Sequence, residues 1–210
     1  MHCTLCDNPS HPFADVDGRR YFRCGTCKLT FEDPATLPDR EAEKAQYDLH
    51  ENDPQDSGYR RFLSQLADPL CDRLPAGASG LDFGCGPGPA LAQLLQERGH
   101  PCTTYDPIYA PHEARLATQY DFITCTEVIE HLHRPAREWR FFADSVKPGG
   151  WLGIMTRWLV DDSAFAHWHY RRDPTHVCFW QPDTFAWLAA RDGWRVTLIG
   201  NPVVLMQKTP

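Results

Sequence analysis

Leu81-Asp82-Phe83-Gly84-Cys85-Gly86-Pro87-Gly88 is the stretch whose reading decides the fold. The apolar run Gly80 to Phe83 reads as a short buried strand, and Ala90-Leu91-Ala92-Gln93-Leu94-Leu95-Gln96-Glu97 follows it at helical period. Between them, glycines at 84, 86 and 88 let backbone amides approach a ligand at a helix N-terminus. The next apolar run, Cys102-Thr103-Thr104-Tyr105, ends on Asp106, where a carboxylate can accept both hydroxyls of a ribose. A tight left-handed turn followed by an N-cap aspartate is the simpler alternative, but strand, loop, helix, strand and acid stand here in register. Further out, Tyr120 to Cys125 and Gly150 to Met155 read as buried strands, each alternating with helical material, as parallel βαβ winding requires. Thr184 to Ala190 reads as a helix leading into an antiparallel edge hairpin, Val196 to Ile199 and Val203 to Met206.

Toward the N-terminus, Cys3-Thr4-Leu5-Cys6 and Cys24-Gly25-Thr26-Cys27 are paired thiols at the spacing that closes a tetrahedron around zinc. Val16 to Arg19 reads as the hairpin tip between them. A redox pair or incidental buried thiols are the alternatives; a segment this short has too little core to fold without a staple. A closed four-thiolate site leaves no open coordination position, so its role is structural or recognitional. Residues 1–37 are therefore expected to form a metal-tied knob, 38–78 a helical bridge and 79–210 the α/β body. The bridge should hold helices over 39–49 and 59–74, with Tyr47, His50 and Tyr59 as lid candidates.

The chain of 210 residues carries 28 acidic against 21 basic side chains, a net charge of -7, which disfavours a surface that coats nucleic acid. No run approaches the ~18 apolar residues of a membrane span. Met1-His2-Cys3 lacks the basic and apolar run of a secretion signal, so the expected address is the cytoplasm, where nine cysteines are thiols rather than a disulfide framework.

Four stretches in order resemble the motifs of class I S-adenosylmethionine-dependent methyltransferases: Leu81 to Gly88, Tyr105-Asp106, Asp121 to Leu132, and Val146 to Leu152. The resemblance covers about residues 79–207 and implies a Rossmann-like sheet in a methyltransferase domain spanning 79–210, with the bridge before it acting as a lid; the zinc ribbon stands apart from the resemblance, on the cysteine spacing alone. It implies that Gly84, Cys85, Gly86 and Gly88 pass the methionine part of the cofactor, with Asp82 near its amino group and Asp106 on the ribose. Pro107, Ile108 and Tyr109 are candidates for the adenine wall, and Thr126 and Glu127 complete the implied cofactor contacts. A nicotinamide dehydrogenase would share the loop and the acid, but not the Glu127 to His131 block followed by Lys147-Pro148-Gly149-Gly150. Only thirteen residues separate Asp106 from Tyr120, too few for a helix and a third strand, so the sheet should be shortened at that edge.

Glu127, Glu130 and His131 stand at i, i+3 and i+4, so a helix starting after Cys125 would project all three from one face as half a shell for a divalent cation. With His176 the pattern is similar to that of metal-dependent O-methyltransferases of small RNAs and of ubiquinone-pathway catechols, which implies that Glu127, Glu130, His131 and His176 hold Mg²⁺ or a transition ion at the acceptor hydroxyl. The alternative is that Glu130 and His131 merely cap and pack. The candidate catalytic residues are His131, His169 and His176, with His169 or His176 as general base in the metal-free version. Arg134, Arg137 and Arg140, and Arg171-Arg172, read as solvated charge or as a grip on an anionic substrate group. A small-molecule acceptor is the first reading. An RNA methyltransferase gripping nucleic acid with the knob is opposed by the acidic balance and by Lys28 being the knob's sole lysine. A non-catalytic cofactor-binding module is the third.

Overall fold

The computed structural model describes residues 1–49 and 52–210; His50, one of the lid candidates, lies outside the described residues. The chain opens with three antiparallel strands, β1 (Ser10–Val16), β2 (Arg19–Cys24) and β3 (Thr30–Glu32). Asp17 and Gly18 both take positive φ at the β1–β2 tip, the pairing whose twist suits a two-residue hairpin. Helix α1 (Arg40–Tyr47) starts where the Asp39 carboxylate accepts the Ala42 amide, and α2 (Ser57–Cys71) where Asp56 does the same for Tyr59. The first lies within the expected 39–49; the second overlaps the expected 59–74 but starts two residues earlier, at Ser57, and ends at Cys71.

The body follows as β4 (Gly80–Phe83), α3 (Ala90–Glu97), β5 (Cys102–Tyr105), β6 (Tyr120–Thr126), α4 (Pro135–Ser145), β7 (Val146–Met155), β8 (Cys178–Phe179), α5 (Pro182–Asp192), β9 (Trp194–Gly200) and β10 (Val203–Lys208). Six of these strands form one sheet in the order β5-β4-β6-β7-β10-β9, with β5, β4, β6 and β7 parallel and the last hairpin antiparallel. The sheet ends at β5: between Asp106 and Tyr120 the chain adds no strand to it, only a turn bridged by Asp106 and Ala110 and a 3₁₀ turn, Glu113–Ala117, so the shortened edge is present as expected.

Neighbouring residues along the strands point to opposite faces, and each face has its own cover. Phe122, Met155 and Leu205 pack beneath Leu63, Leu66 and Leu70 of α2 and Leu91 and Leu95 of α3. Ile123, Ile154 and Val204 pack against Trp139 and Phe142 of α4 and Phe185 and Leu188 of α5. All of these side chains are buried.

The N-terminal strands are not a detached knob. Strand β3 pairs antiparallel with β8, Thr30 opposite Phe179 and Phe31 opposite Cys178, so the body supplies the fourth strand of the ribbon's sheet. Tyr21, Phe165 and Phe179 close the joint edge to face, with centroids 4.9 Å and 5.1 Å apart across Phe165. No described helix is long and apolar enough to cross a membrane.

Candidate functional site

A cavity of about 820 Å³ opens at the carboxyl ends of β4, β5 and β6, where an open α/β sheet presents its loops to a ligand. Its floor is the glycine loop. Gly84 takes φ +75°, and a Cβ there would lie 2.4 Å from the Val128 side chain, so only glycine lets the loop turn this tightly over the β6 end. The amides of Gly84 and Cys85 both donate to the Tyr105 carbonyl, at 2.7 and 3.2 Å, which ties the ends of β4 and β5 together. Asp106, 8% exposed, accepts from the Gly86 amide on Oδ2 (3.1 Å) and from the Ile108 and Tyr109 amides on Oδ1 (2.8 and 2.9 Å). A carboxylate has about four acceptor positions, so capacity remains for a ligand hydroxyl.

Gly84, Cys85, Gly86, Asp106, Pro107 and Thr126 line the cavity, as do Ile108, Tyr109 and Glu127. Asp82 and Gly88 do not. Asp82 is buried beneath the loop, where Thr124 Oγ1 donates to its Oδ1 at 2.9 Å, and burial raises its carboxyl to about 7. Gly88 packs against the backbone carbonyl of Asn52, which a Cβ would approach to 2.0 Å. Asn52 lines the cavity from the bridge, a contact that no motif in the sequence announces.

At the far end of the same cavity the chain gathers carboxylates and imidazoles. No α-helix starts directly at the end of β6: Glu127 takes φ +50° and donates its amide to the Met155 carbonyl, a 3₁₀ turn, Ile129–His131, comes next, and α4 begins only at Pro135. The i, i+3, i+4 geometry expected of Glu127, Glu130 and His131 is thereby broken. Ligand atoms of Glu130, His131 and His176 lie within 4.8 Å of one another, whereas Glu127 stays outside that group. Glu130 is fully buried; Thr156 Oγ1 lies 3.0 Å from Oε2 and the Tyr170 hydroxyl 2.6 Å from Oε1. The same hydroxyl lies 3.2 Å from Glu127 Oε2. Burial pushes both carboxyls upward, Glu127 to about 7, and the Glu127 charge adds to the rise at Glu130.

The imidazoles are oriented by backbone. His131 Nδ1 lies 3.0 Å from the Thr175 carbonyl and His176 Nδ1 lies 2.6 Å from the Tyr170 carbonyl. A carbonyl only accepts, so each Nδ1 carries the proton and Nε2 is the basic nitrogen of the neutral ring. The two rings are 4.7 Å apart, and Tyr47 of α1 meets His131 edge to face at 5.1 Å.

His169 belongs to the exposed side of a 3₁₀ turn, His169–Arg172, and does not line the cavity; its sequence neighbourhood was aromatic, but Tyr170 is the residue that turns inward. Arg137 lines the cavity, while Arg171 is 2% exposed and pairs with Asp17 at 2.8 Å. Helix α1 lies along the cavity: Arg40 donates to the Pro107 carbonyl at 3.0 Å on the Asp106 side, and Glu43 lies 2.9 Å from His133 Nε2 on the other. The Glu43–His133 pair links two cavity-lining residues far apart in sequence and has no local signal.

The thiols of Cys3, Cys6, Cys24 and Cys27 form a second group within 4.8 Å, with sulfurs 3.6 Å apart for Cys3–Cys27 and 3.4 Å for Cys6–Cys24. A tetrahedron with Zn–S bonds of ~2.3 Å has edges of about 3.8 Å, so the donor set and its spacing fit zinc. Amides of Leu5, Thr26 and Cys27 point at these sulfurs at 3.4 Å, as suits thiolates.

Comparison with known proteins gives one family. A family model described as "Methyltransferase domain" matches residues 55–199. A ubiquinone biosynthesis O-methyltransferase of Proteus mirabilis is 36% identical over 84 residues, which is 40% of this chain and 34% of that relative. The chain thus spans about a third of the length of that curated protein. The crystal structure of Streptomyces venezuelae DesVI superposes with a TM-score of 0.52 at 16% identity, covering 82% of this chain and 99% of that one. An O-methyltransferase from neocarzinostatin biosynthesis, solved with S-adenosyl-L-homocysteine and 1,4-dihydroxy-2-naphthoic acid, gives 0.51 at 15% identity over 72% of this chain and 56% of that one. At these identities the superpositions carry the fold.

Proposed function

The chain belongs to the methyltransferase domain family, and from that premise we propose that it moves the methyl group of S-adenosylmethionine to a hydroxyl oxygen of a small molecule. The observation that carries this reading is the continuity of one cavity from the Asp106-tied glycine loop to His131 and His176, which stand against the buried Glu130. A methyl donor lying on the loop would point its sulfonium toward a group able to take a proton.

In this reading residues 79–210 hold the cofactor and acceptor, 38–78 supply the lid and 1–37 the ribbon. Gly84 to Gly86 and Asp106 bind the donor, with Pro107, Ile108 and Tyr109 beside the adenine. Asp82 acts from beneath, shaping the loop rather than touching the ligand. The acceptor hydroxyl gives its proton to Nε2 of His131 or His176 as its oxygen attacks the methyl carbon in line and the carbon–sulfur bond breaks, leaving neutral S-adenosylhomocysteine. Alignment and exclusion of water supply most of the acceleration, since the sulfonium is already activated. Tyr47 and the α1 span close the cavity over the reacting atoms.

Glu130, His131 and His176 would also hold a divalent cation, and two imidazoles with one carboxylate suit a transition ion better than Mg²⁺. Such an ion, when bound, lowers the pKa of an acceptor hydroxyl. Cys3, Cys6, Cys24 and Cys27 hold zinc in a closed, structural set.

Incubating the protein with methyl-labelled S-adenosylmethionine and a panel of catechols, phenols and aliphatic alcohols tests the reading. Label is expected in a hydroxyl compound and is expected to be lost with His131→Ala. Transfer to none of them by protein that binds S-adenosylhomocysteine would contradict hydroxyl specificity.

A further inference from the structure

One side chain runs from the ribbon to the loop that carries His176 and holds His131 by its ring nitrogen. Arg19, the first residue of β2, donates from Nε to Glu32 Oε2 at 2.8 Å, and its Nη2 reaches the same oxygen. Its Nη1 donates to the carbonyls of Arg171 (3.2 Å) and Asp173 (3.3 Å), and Nη2 to those of Pro174 (3.3 Å) and His176 (2.9 Å). Four carbonyls of one short loop thus converge on a single guanidinium, whose planar fork of donors is suited to several acceptors at once. The Glu32 side chain is 1% exposed and its other oxygen accepts from Thr36 at 3.0 Å, so the pair is anchored inside the ribbon.

The loop so held is the one that orients both imidazoles. Its Thr175 carbonyl receives His131 Nδ1, and His176 is its own residue. The Asp173 carboxylate folds it by accepting the Thr175 amide and hydroxyl at 2.8 and 2.6 Å. Immediately after it, Val177 takes the Glu32 amide on its carbonyl and gives its own amide to the Glu130 carbonyl, at 2.9 and 2.8 Å. Attachment of the ribbon to the body is already provided by the β3–β8 pairing and the Tyr21, Phe165 and Phe179 cluster. The guanidinium is aimed elsewhere, at the loop carbonyls.

We propose that Arg19 is a positioning residue for methyl transfer: through the Arg19–Glu32 pair the cysteine-tied ribbon sets the placement of His131 and His176. The inference rests on the cavity being the acceptor site. It makes the ribbon a support behind that site and couples the cysteine cluster to turnover. Without the guanidinium the converging carbonyl dipoles repel one another, the loop relaxes and the imidazoles lose their fixed Nδ1–H tautomer.

Two variants separate this from a merely structural tie. Arg19→Met combined with Glu32→Gln removes the pair together, so no buried carboxylate is left uncompensated. Arg19→Lys keeps the charge but loses the fork, and serves if the double variant fails to fold. The readouts are zinc per chain, calorimetric affinity for S-adenosylhomocysteine, histidine side-chain ¹⁵N–¹H spectra, and turnover with whichever hydroxyl compound the labelled panel yields. Zinc content and S-adenosylhomocysteine affinity are expected to stay within about twofold, because the glycine loop is untouched. The His131 and His176 resonances are expected to leave the Nδ1–H pattern, with turnover falling about 10- to 100-fold, the cost of small misplacement of reacting groups. Imidazole spectra and turnover unchanged in both folded variants would overturn the proposal while leaving the function reading intact. Wild-type protein that fails to bind S-adenosylhomocysteine would instead overturn the function reading beneath it.

Discussion

Asp82, one residue before the end of β4, and Asp106, one residue after β5, stand near the ends of adjacent parallel strands, yet their surroundings differ. Asp106 faces the cavity with three backbone amides on its carboxylate. Asp82 is sealed below the loop with the Thr124 hydroxyl, and burial raises its carboxyl from 3.8 to about 7. Folded protein therefore binds more protons than unfolded chain between those values, and the stability Asp82 contributes is present at low pH and is lost as pH rises through about 7. Asp82→Asn keeps an acceptor for Thr124 and removes the titration. Thermal melts of the two proteins without ligand are expected to converge near pH 4 and to separate by pH 8, with the variant the more stable; parallel curves across that range would contradict the assignment. The sequence showed both aspartates as a pair flanking a glycine loop, but not which of them faces the cavity, because burial at a strand end depends on what the loop folds over. His169 illustrates the same limit: one residue of register in a 3₁₀ turn decides that Tyr170 enters the core and His169 the solvent. Arg19 had no readable signal, since the carbonyls it meets lie more than 150 residues away.

At the scale of elements, strands and helices with a strong apolar period were legible, from β4 through the closing β9–β10 hairpin. The segment after β6 was not. Its spacing satisfied a helix, but a single left-handed residue, Glu127, turns the chain before a helix can start and leaves Glu127 outside the group formed by Glu130, His131 and His176. The ribbon was legible as paired thiols around a hairpin, while its partnership with β8 was hidden because a two-residue strand carries no period. That partnership would give a metal held by the four thiols a wider effect. Wild-type protein is expected to contain about one zinc per chain, and Cys24→Ser, at a fully buried ligand position, to lose it and to melt at a lower temperature. Elemental analysis and calorimetry check both, and zinc-free wild-type protein with undiminished stability would contradict the ribbon's metal.

Across the whole molecule, two cores on opposite faces of a shortened sheet hold a cavity at the strand ends; α1 contributes to its walls, and the ribbon stands behind the loop that carries His176. The shortened edge was foreseeable from the thirteen residues between Asp106 and Tyr120, because chain length alone excludes another strand and helix. The closure by α1 was only partly foreseeable, since a polar helix with no buried residue shows where it lies only through contacts such as Arg40 to Pro107. Cofactor binding at the glycine loop is the claim on which the remaining chemistry depends. The most direct measurement is calorimetric titration of the intact protein with S-adenosylhomocysteine, beside Gly86→Val, where φ is +61° and a branched side chain is strained. The account predicts saturable one-to-one binding by the wild type and at least about tenfold weaker binding, about 1.4 kcal/mol, by the variant; no binding by the wild type, or equal binding by both, would contradict it.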